Sequence, residues 1–300
     1  MLTRKAHDML KPIITGLGIA WLAVALSSCS TSGGGRYSQR HDSAPDQQIN
    51  VSHVADAVPR VEPKSRYGNP ESYVVLGKRY HTLTSNTGYR ERGVASWYGT
   101  KFHGHRTSSG ESYDMYKMSA AHKSLPLPTY ARVTNLRNDK SVIVKINDRG
   151  PFHDNRLIDL SYAAASRLGI LGEGTGLVEV EAINPDQPEQ RAPKLQPQPH
   201  RLASKPKTDV SVAPPSVKTN AEPLLYLQVG AFQSRSNAER LKSRLTTTAP
   251  EKKLHISEAS ANQQRVYRVR IGPLDSVESA DQLAQSLLQH GIESPRVVID

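Results

Sequence analysis

The sequence predicts two small folded domains, a mostly β closed barrel and then an α+β plait, joined by a disordered Pro-rich linker. Three observations carry this reading. Short runs of β-branched and aromatic residues crowd the first half of the chain between turn formers. A polar stretch from Asn184 to Pro223, NPDQPEQRAPKLQPQPHRLASKPKTDVSVAPPSVKTNAEP, is dense in Pro, Gln and Lys and separates two richer segments. The last segment repeats itself at a shift of 42 residues, which carries Gly230 onto Gly272.

In chain order, Val94 to Tyr98, Thr129 to Thr134 and Ser141 to Ile146 read as strands. One helix follows, N-capped by Ser161, carrying Ala163, Ala164 and Ala165, and stopped by Gly169. Many short strands and little helix within residues 67–183 favour a small closed barrel over an open sheet. Beyond the linker, the repeat pairs Phe232 with Leu274, Ser234 with Ser276, Ala238 with Ala280, Leu241 with Leu283 and Leu245 with Leu287. Each leucine pair within a copy is spaced i, i+4 on one helical face, which must pack on a sheet made by Leu225 to Val229 and Val266 to Ile271. Closing strands near Leu254 to Ser257 and Arg296 to Ile299 complete the order β-α-β-β-α-β, a ferredoxin-like plait over residues 223–300.

Residues 1–28 carry Arg4, Lys5 and Lys11, an apolar run from Ile13 to Leu26, and Ser27-Ser28 before Cys29. A basic, then apolar, then small-residue stretch is a cleavable export signal. The apolar run is too short to cross about 30 Å of hydrocarbon and has no stop-transfer charges behind it. The stretch resembles the lipobox of bacterial lipoproteins, which implies that Cys29 becomes the lipidated first residue. Cys29 is the only cysteine, so no disulfide can form within the chain, and acylation accounts for a thiol in an oxidising compartment. Ser30 after it implies the outer rather than the inner membrane. Residues 29–66 are expected to be a disordered tether, because they hold too few large apolar residues to offset the entropy of ordering. Residues 184–222 are expected to be a PPII-biased spacer averaging about 30 to 40 Å. A net charge of +11 and a pI near 9.7 point toward a polyanion. Export excludes the chromosome and leaves anionic wall polymers or membrane surfaces, unless the linkers are basic only for solubility.

Several motifs then fall in order: GVASWYG at 93–99, RTSSGESYD at 106–114, MSAAHKSLPLPTYARVTN at 118–135, NDRGPF at 147–152 and LQVGAF at 227–232. Together with the lipobox they resemble the rare lipoprotein A family across nearly all of the folded chain. The resemblance implies a double-psi β-barrel followed by a SPOR domain. It implies a septal lytic transglycosylase that cuts between N-acetylmuramic acid and N-acetylglucosamine, leaving 1,6-anhydro ends on strands stripped of stem peptides. The implied partners are denuded glycan strands, the outer membrane through the lipid anchor, and division proteins. No nucleic acid, cofactor or metal is expected, and the chain is expected to be a monomer.

Glycosidic cleavage needs a carboxylic acid to protonate the leaving oxygen while positive charge builds on the ring. In the anhydro-forming route the sugar's own C6 hydroxyl replaces water, so one carboxyl can act as acid and then as base. The resemblance makes Asp148 that group, at a strand end before a turn; the alternative is a plain turn with Asp148 paired to Arg149. Glu111 and Asp114, three apart, form an acidic cluster that could poise Asp148 by raising its pKa, or else cap a solvated loop. His122 is the family's site histidine by position; otherwise it bridges loops. With His103 and His105 it offers a zinc reading, without a metalloprotease signature beside it. Trp97, Tyr98 and Arg149 are candidate sugar contacts, with Trp97 equally suited to the core and only one of the two aromatics facing outward. In the plait, Gln228, Phe232, Tyr267 and Arg268 are candidate glycan contacts, some of them expected to be core. The rival function is a non-catalytic wall-binding or wall-loosening lipoprotein.

Overall fold

The computed structural model describes residues 41–47, 49–186, 223–248, 253–261, 264–292 and 295–300, with Tyr37 and Gln39. The export signal, the Cys29 anchor, Ser30 and most of the spacer lie outside the described residues. Among the described residues, no helix is long and apolar enough to cross a membrane.

A hairpin of β1 (Ser72–Val75) and β2 (Lys78–His81) precedes the barrel. The barrel strands are β3 (Arg90–Tyr98), β4 (Ser119–His122), β5 (Thr129–Asn135), β6 (Ser141–Asp148), β7 (Arg156–Ser161) and β8 (Gly176–Ile183), with helix α1 (Tyr162–Leu168) after β7. They close in the order β3-β7-β4-β6-β5-β8. The β3/β7 and β4/β6 pairs are parallel and the rest antiparallel. Closure follows from the residues: Ala120, Val133, Val144, Ile146, Ile158 and Leu160 alternate into one fully buried interior. The expected closed barrel is therefore present.

Helix α1 starts and stops where the sequence signals it. Ser161 Oγ accepts from Ala164 N at 3.2 Å and donates to Lys117 O at 2.6 Å. Gly169 takes the left-handed conformation, φ 79°, that a side chain resists.

The stretch expected to be a free tether runs along the barrel from Asp42 onward. Asp42 accepts from Gly99 N at 2.7 Å and Lys101 N at 3.0 Å. Val51 is buried in the barrel core, Ala57 N donates to Ile143 O, and Ser65 N donates to Leu127 O. The segment has too few apolar residues to fold alone, but here the barrel supplies partners along it, so composition underestimates its order.

The plait comprises β9 (Leu225–Phe232), α2 (Arg235–Thr248), β10 (Leu254–Ala261), β11 (Gln264–Leu274), α3 (Val277–Gln289) and β12 (Arg296–Ile299). Its antiparallel sheet runs β10-β11-β9-β12, the ferredoxin-like order that the internal repeat predicts. Leu227, Val269 and Ile271 pack under Ala238, Leu245, Ala284 and Leu287, with Leu241 and Leu283 beside them. Val94 and Leu177 of the barrel share a small apolar cluster with Leu225, Val277 and Ala280 of the plait.

Ser161→Ala removes the α1 cap and the hydroxyl bond to Lys117 O, which keeps its bond from Ser119 N. It lowers barrel stability by about 1 to 2 kcal/mol, read as a fall in the urea midpoint at unchanged slope.

Candidate active site

Strand β4 lies between β6 and β7, and its register places Ala121 beside Asp148 on one side and Asp159 on the other. A register shift between Ala120 and Ala121 lets β6 carry both Ile146 inward and Asp148 outward within three residues. Asp148 therefore sits at the end of β6 on the outer face of the barrel.

The β3–β4 loop closes over it. Asp148 Oδ1 accepts from Ser108 N at 2.7 Å, Ser108 Oγ at 2.6 Å and Arg149 N at 2.7 Å. Ser108 is held there because Thr107 N donates to Glu111 O and Ser109 N donates to Asn147 O. The RTSSGESYD motif is thus a loop folded onto the end of β6. Three donors on Oδ1 leave Oδ2 as the oxygen that can meet a substrate.

Glu111 joins this site, but through a cation and not through an acid cluster. Its carboxylate accepts from Lys145 Nζ at 2.8 Å and Asn147 Nδ2 at 2.7 Å. Burial pushes its pKa up, yet Lys145 and Asn147 outweigh burial and hold it below the usual range. Lys145 Nζ also bonds Glu62 at 3.0 Å. Burial likewise raises Glu62, but hydrogen bonds from Tyr130, Arg60 and Lys145 bring it down to about 2. Asp114 does not join this arrangement. Asp114 Oδ1 instead accepts from Tyr116 N at 3.0 Å and lies 3.9 Å from His103, sharing no described partner with Asp148 or Glu111.

His122 is 2% exposed and faces loops, not solvent. Its Nδ1 accepts from Ser124 N at 3.2 Å and Leu125 N at 3.0 Å, which places the ring proton on Nε2, directed to Tyr89 Oη at 2.9 Å. Tyr89 in turn donates to Glu91 at 2.8 Å. Burial first, then the charges of Arg149 and Lys123, pull the His122 pKa down to about 3, so the ring is neutral wherever the barrel is folded near neutral pH. Of its two sequence readings, the loop-bridging one matches the geometry. His103, His105 and His122 form no ligand set: among the described residues no metal-binding cluster occurs.

Arg149 is turned into the protein. Only 9% exposed, it donates from Nη1 to Leu125 O at 2.6 Å and His122 O at 3.1 Å, from Nε to Gly68 O at 2.8 Å, and from Nη2 to Asn69 Oδ1 at 3.2 Å. Its guanidinium makes no salt bridge to Asp148 either. Tyr98 faces outward on β3 but is roofed by the β3–β4 loop and stacks on Tyr113 at 4.1 Å between centroids, so its ring is closed to sugar. Trp97 packs half-buried against Tyr162.

In the plait, register divides the four candidates. Gln228 pairs with Arg270 and Arg296, and Arg268 pairs with Ser257 and Ala231, on the open face of the sheet. Phe232 and Tyr267 pair with each other and pack toward the helices.

Sequence reasoning missed Lys145 and Asp159. Both carried a signal: Lys145 and Asn147 alternate along one strand, and Asp159 falls between Ile158 and Leu160, where period-two alternation turns it away from the core.

A carboxylate-bearing barrel followed by this plait defines a lytic transglycosylase-type domain joined to a SPOR domain. The family model described as lytic transglycolase matches residues 90–181, and the SPOR domain model matches residues 221–295. The endolytic peptidoglycan transglycosylase RlpA of Pseudomonas aeruginosa (strain UCBPP-PA14) is 42% identical over 348 aligned residues, covering 99% of both chains. The protein of that name from Vibrio cholerae is 51% identical over 173 residues, covering 58% of this chain and 65% of its own. In Neisseria meningitidis serogroup A the figure is 54% over 133 residues, or 44% of this chain and 55% of the relative. The chain belongs to the RlpA family of endolytic peptidoglycan transglycosylases.

The neutral, buried state of His122 predicts that its ring carbon resonances stay flat from pH 8 down to about 4, whereas an exposed histidine shifts near pH 6.5; two-dimensional NMR of labelled protein measures both.

Proposed function

We propose that the barrel cuts peptidoglycan glycan between N-acetylmuramic acid and N-acetylglucosamine without water, closing a 1,6-anhydro ring. Full-length relatives bear the name of endolytic peptidoglycan transglycosylases, and the observation that carries the reading here is the geometry of Asp148. A carboxylate locked through one oxygen by Ser108 and Arg149, with the other oxygen open, is a fixed negative charge of the kind a ring acquiring oxocarbenium character needs. Because the loop and β6 hold it before substrate arrives, no reorganisation is needed during reaction.

The other groups support this centre. Glu111, ionised beside Lys145, braces Asn147 next to Asp148. His122 acts through its backbone, whose carbonyl helps hold Arg149, so it is a positioning residue. Asp114 has no part in the reading. The plait binds the same polymer through the open sheet face bearing Gln228 and Arg268, and its preference is for strands lacking stem peptides, which gather at the division septum. Lipid at Cys29 holds the protein to the outer membrane, and the spacer lets both domains engage one strand.

Incubation of the purified chain with amidase-treated sacculi releases anhydro-muropeptides, detected by liquid chromatography and mass spectrometry. Asp148→Asn lowers that release by about 10²- to 10⁴-fold and leaves sacculus co-sedimentation unchanged. A wild-type chain that binds sacculi but releases none identifies a non-catalytic wall binder. Gln228→Ala with Arg268→Ala weakens co-sedimentation while leaving the cleavage rate on short soluble strands unchanged.

A further inference from the structure

The outer face of the barrel holds a second carboxyl that this mechanism leaves idle. Along β3-β7-β4-β6, register partners form a row of Ser96, Asp159, Ala121 and Asp148, and partners in a ladder share a face. Only the Ala121 methyl separates Asp159 from Asp148 along it. Two strand spacings put their Cα atoms about 10 Å apart, and the side chains stand over a floor one alanine deep. Two residues along the same strands, Tyr98 and Ser119 face the same way, 8% and 6% exposed.

Three atoms here are buried without a hydrogen bond among the described residues: Asp159 Oδ1, Tyr98 Oη and Ser119 Oγ. Such groups are rare in native proteins and call for a partner. Tyr98 feels the charge of both Asp148 and Asp159, which places its hydroxyl near both. Asp159 is not sealed in, since its side chain keeps 19% exposure. Asp159, part-exposed beside a fixed carboxylate and with Oδ1 lacking a hydrogen bond, can meet a polar ligand atom from outside, whereas the Tyr98 and Ser119 hydroxyls are buried.

We propose that Asp159 is the proton donor of the transglycosylase reaction, with Asp148 as the fixed charge beside it; this rests on the transglycosylase reading above. The Asp159 proton passes to the glycosidic oxygen as its bond to C1 of the muramic acid breaks and the electron pair leaves with that oxygen. The C6 hydroxyl oxygen then bonds to C1, and its proton goes back to the Asp159 carboxylate. Atoms balance, no water enters, and the enzyme ends as it began.

The charged and titratable groups facing Asp159 are Arg156 on β7 at 3.9 Å, Lys123 at the end of β4, Asp148 on β6, Tyr98 on β3, and Asp42 from the N-terminal segment. Burial outweighs the two cations, and Asp42 adds to it, so the Asp159 pKa rises to about 6. A raised carboxyl pKa keeps the acid form available up to that pH and makes the folded state less stable above it, since the unfolded chain is then free of a forced proton or a buried charge.

The test uses the full chain. Wild type and Asp148→Asn establish the reaction itself; if wild type releases no anhydro product, that reading and this one fall together. With wild type active, Asp159→Asn cuts release by about 10²- to 10⁴-fold, removes the decline in rate above about pH 6, and melts no lower than wild type at pH 7.5. A variant that cleaves at the wild-type rate, or that keeps the wild-type pH limb, overturns the assignment and leaves the Asp148 reading intact. Should the variant melt far lower, carbon-13 titration of assigned Asp159 in wild type decides: a midpoint near 6 supports the donor, and one near 4 overturns it.

Discussion

The buried guanidinium of Arg149 is the interaction on which the site depends. It gathers the β4–β5 loop through His122 and Leu125, and the N-terminal segment through Gly68 and Asn69, while its own backbone N–H bonds Asp148. Burying a cation is expensive unless every donor finds an acceptor. Here neutral carbonyls and one amide supply them, so the side chain welds three segments without neutralising the carboxylate next to it in sequence. An opposite charge at that place would have consumed the negative potential that the reaction needs.

Around the site, Glu62, Glu111, Lys145 and His122 are each held in one ionisation state. Lys145 bridges Glu62 and Glu111 and keeps both ionised. His122 is kept neutral by burial and by cations nearby, which removes a competing charge from beneath the loop. Asp159 departs from this pattern, because burial raises it while no hydrogen bond fixes its Oδ1.

Closure of the barrel is what makes the arrangement rigid. Parallel pairing of β4 with β6 and antiparallel pairing with β7 fix Asp148 and Asp159 on either side of a small residue, and a closed sheet cannot slip register without turning its whole core outward. The site also carries a cost, since unpaired buried hydroxyls at Tyr98 and Ser119 weaken the fold that holds them. The N-terminal segment offsets part of it: Asp42, Ala57 and Ser65 tie otherwise open backbone groups of the barrel. The plait carries the same burden, since Ser257 Oγ and Arg270 Nε are buried there without a hydrogen bond among the described residues.

Local patterns alone settled much of this protein. Alternation of β-branched residues marked the strands, Ser161 and Gly169 marked the ends of α1, and the 42-residue repeat fixed the plait, because capping, pleat and helical period act over a few residues. The family resemblance, not the local pattern, singled out Asp148 in the motif at 147–152. What the sequence could not decide was which residues meet. Glu111 and Asp114 stand three apart in the chain yet turn to different partners, Arg149 looks like a surface cation and is a buried clamp, and Asp159 lies eleven positions from Asp148 but one alanine away across β4. Those outcomes depend on strand order and register, which are set by closing the barrel over its whole core, and no window of sequence contains that constraint.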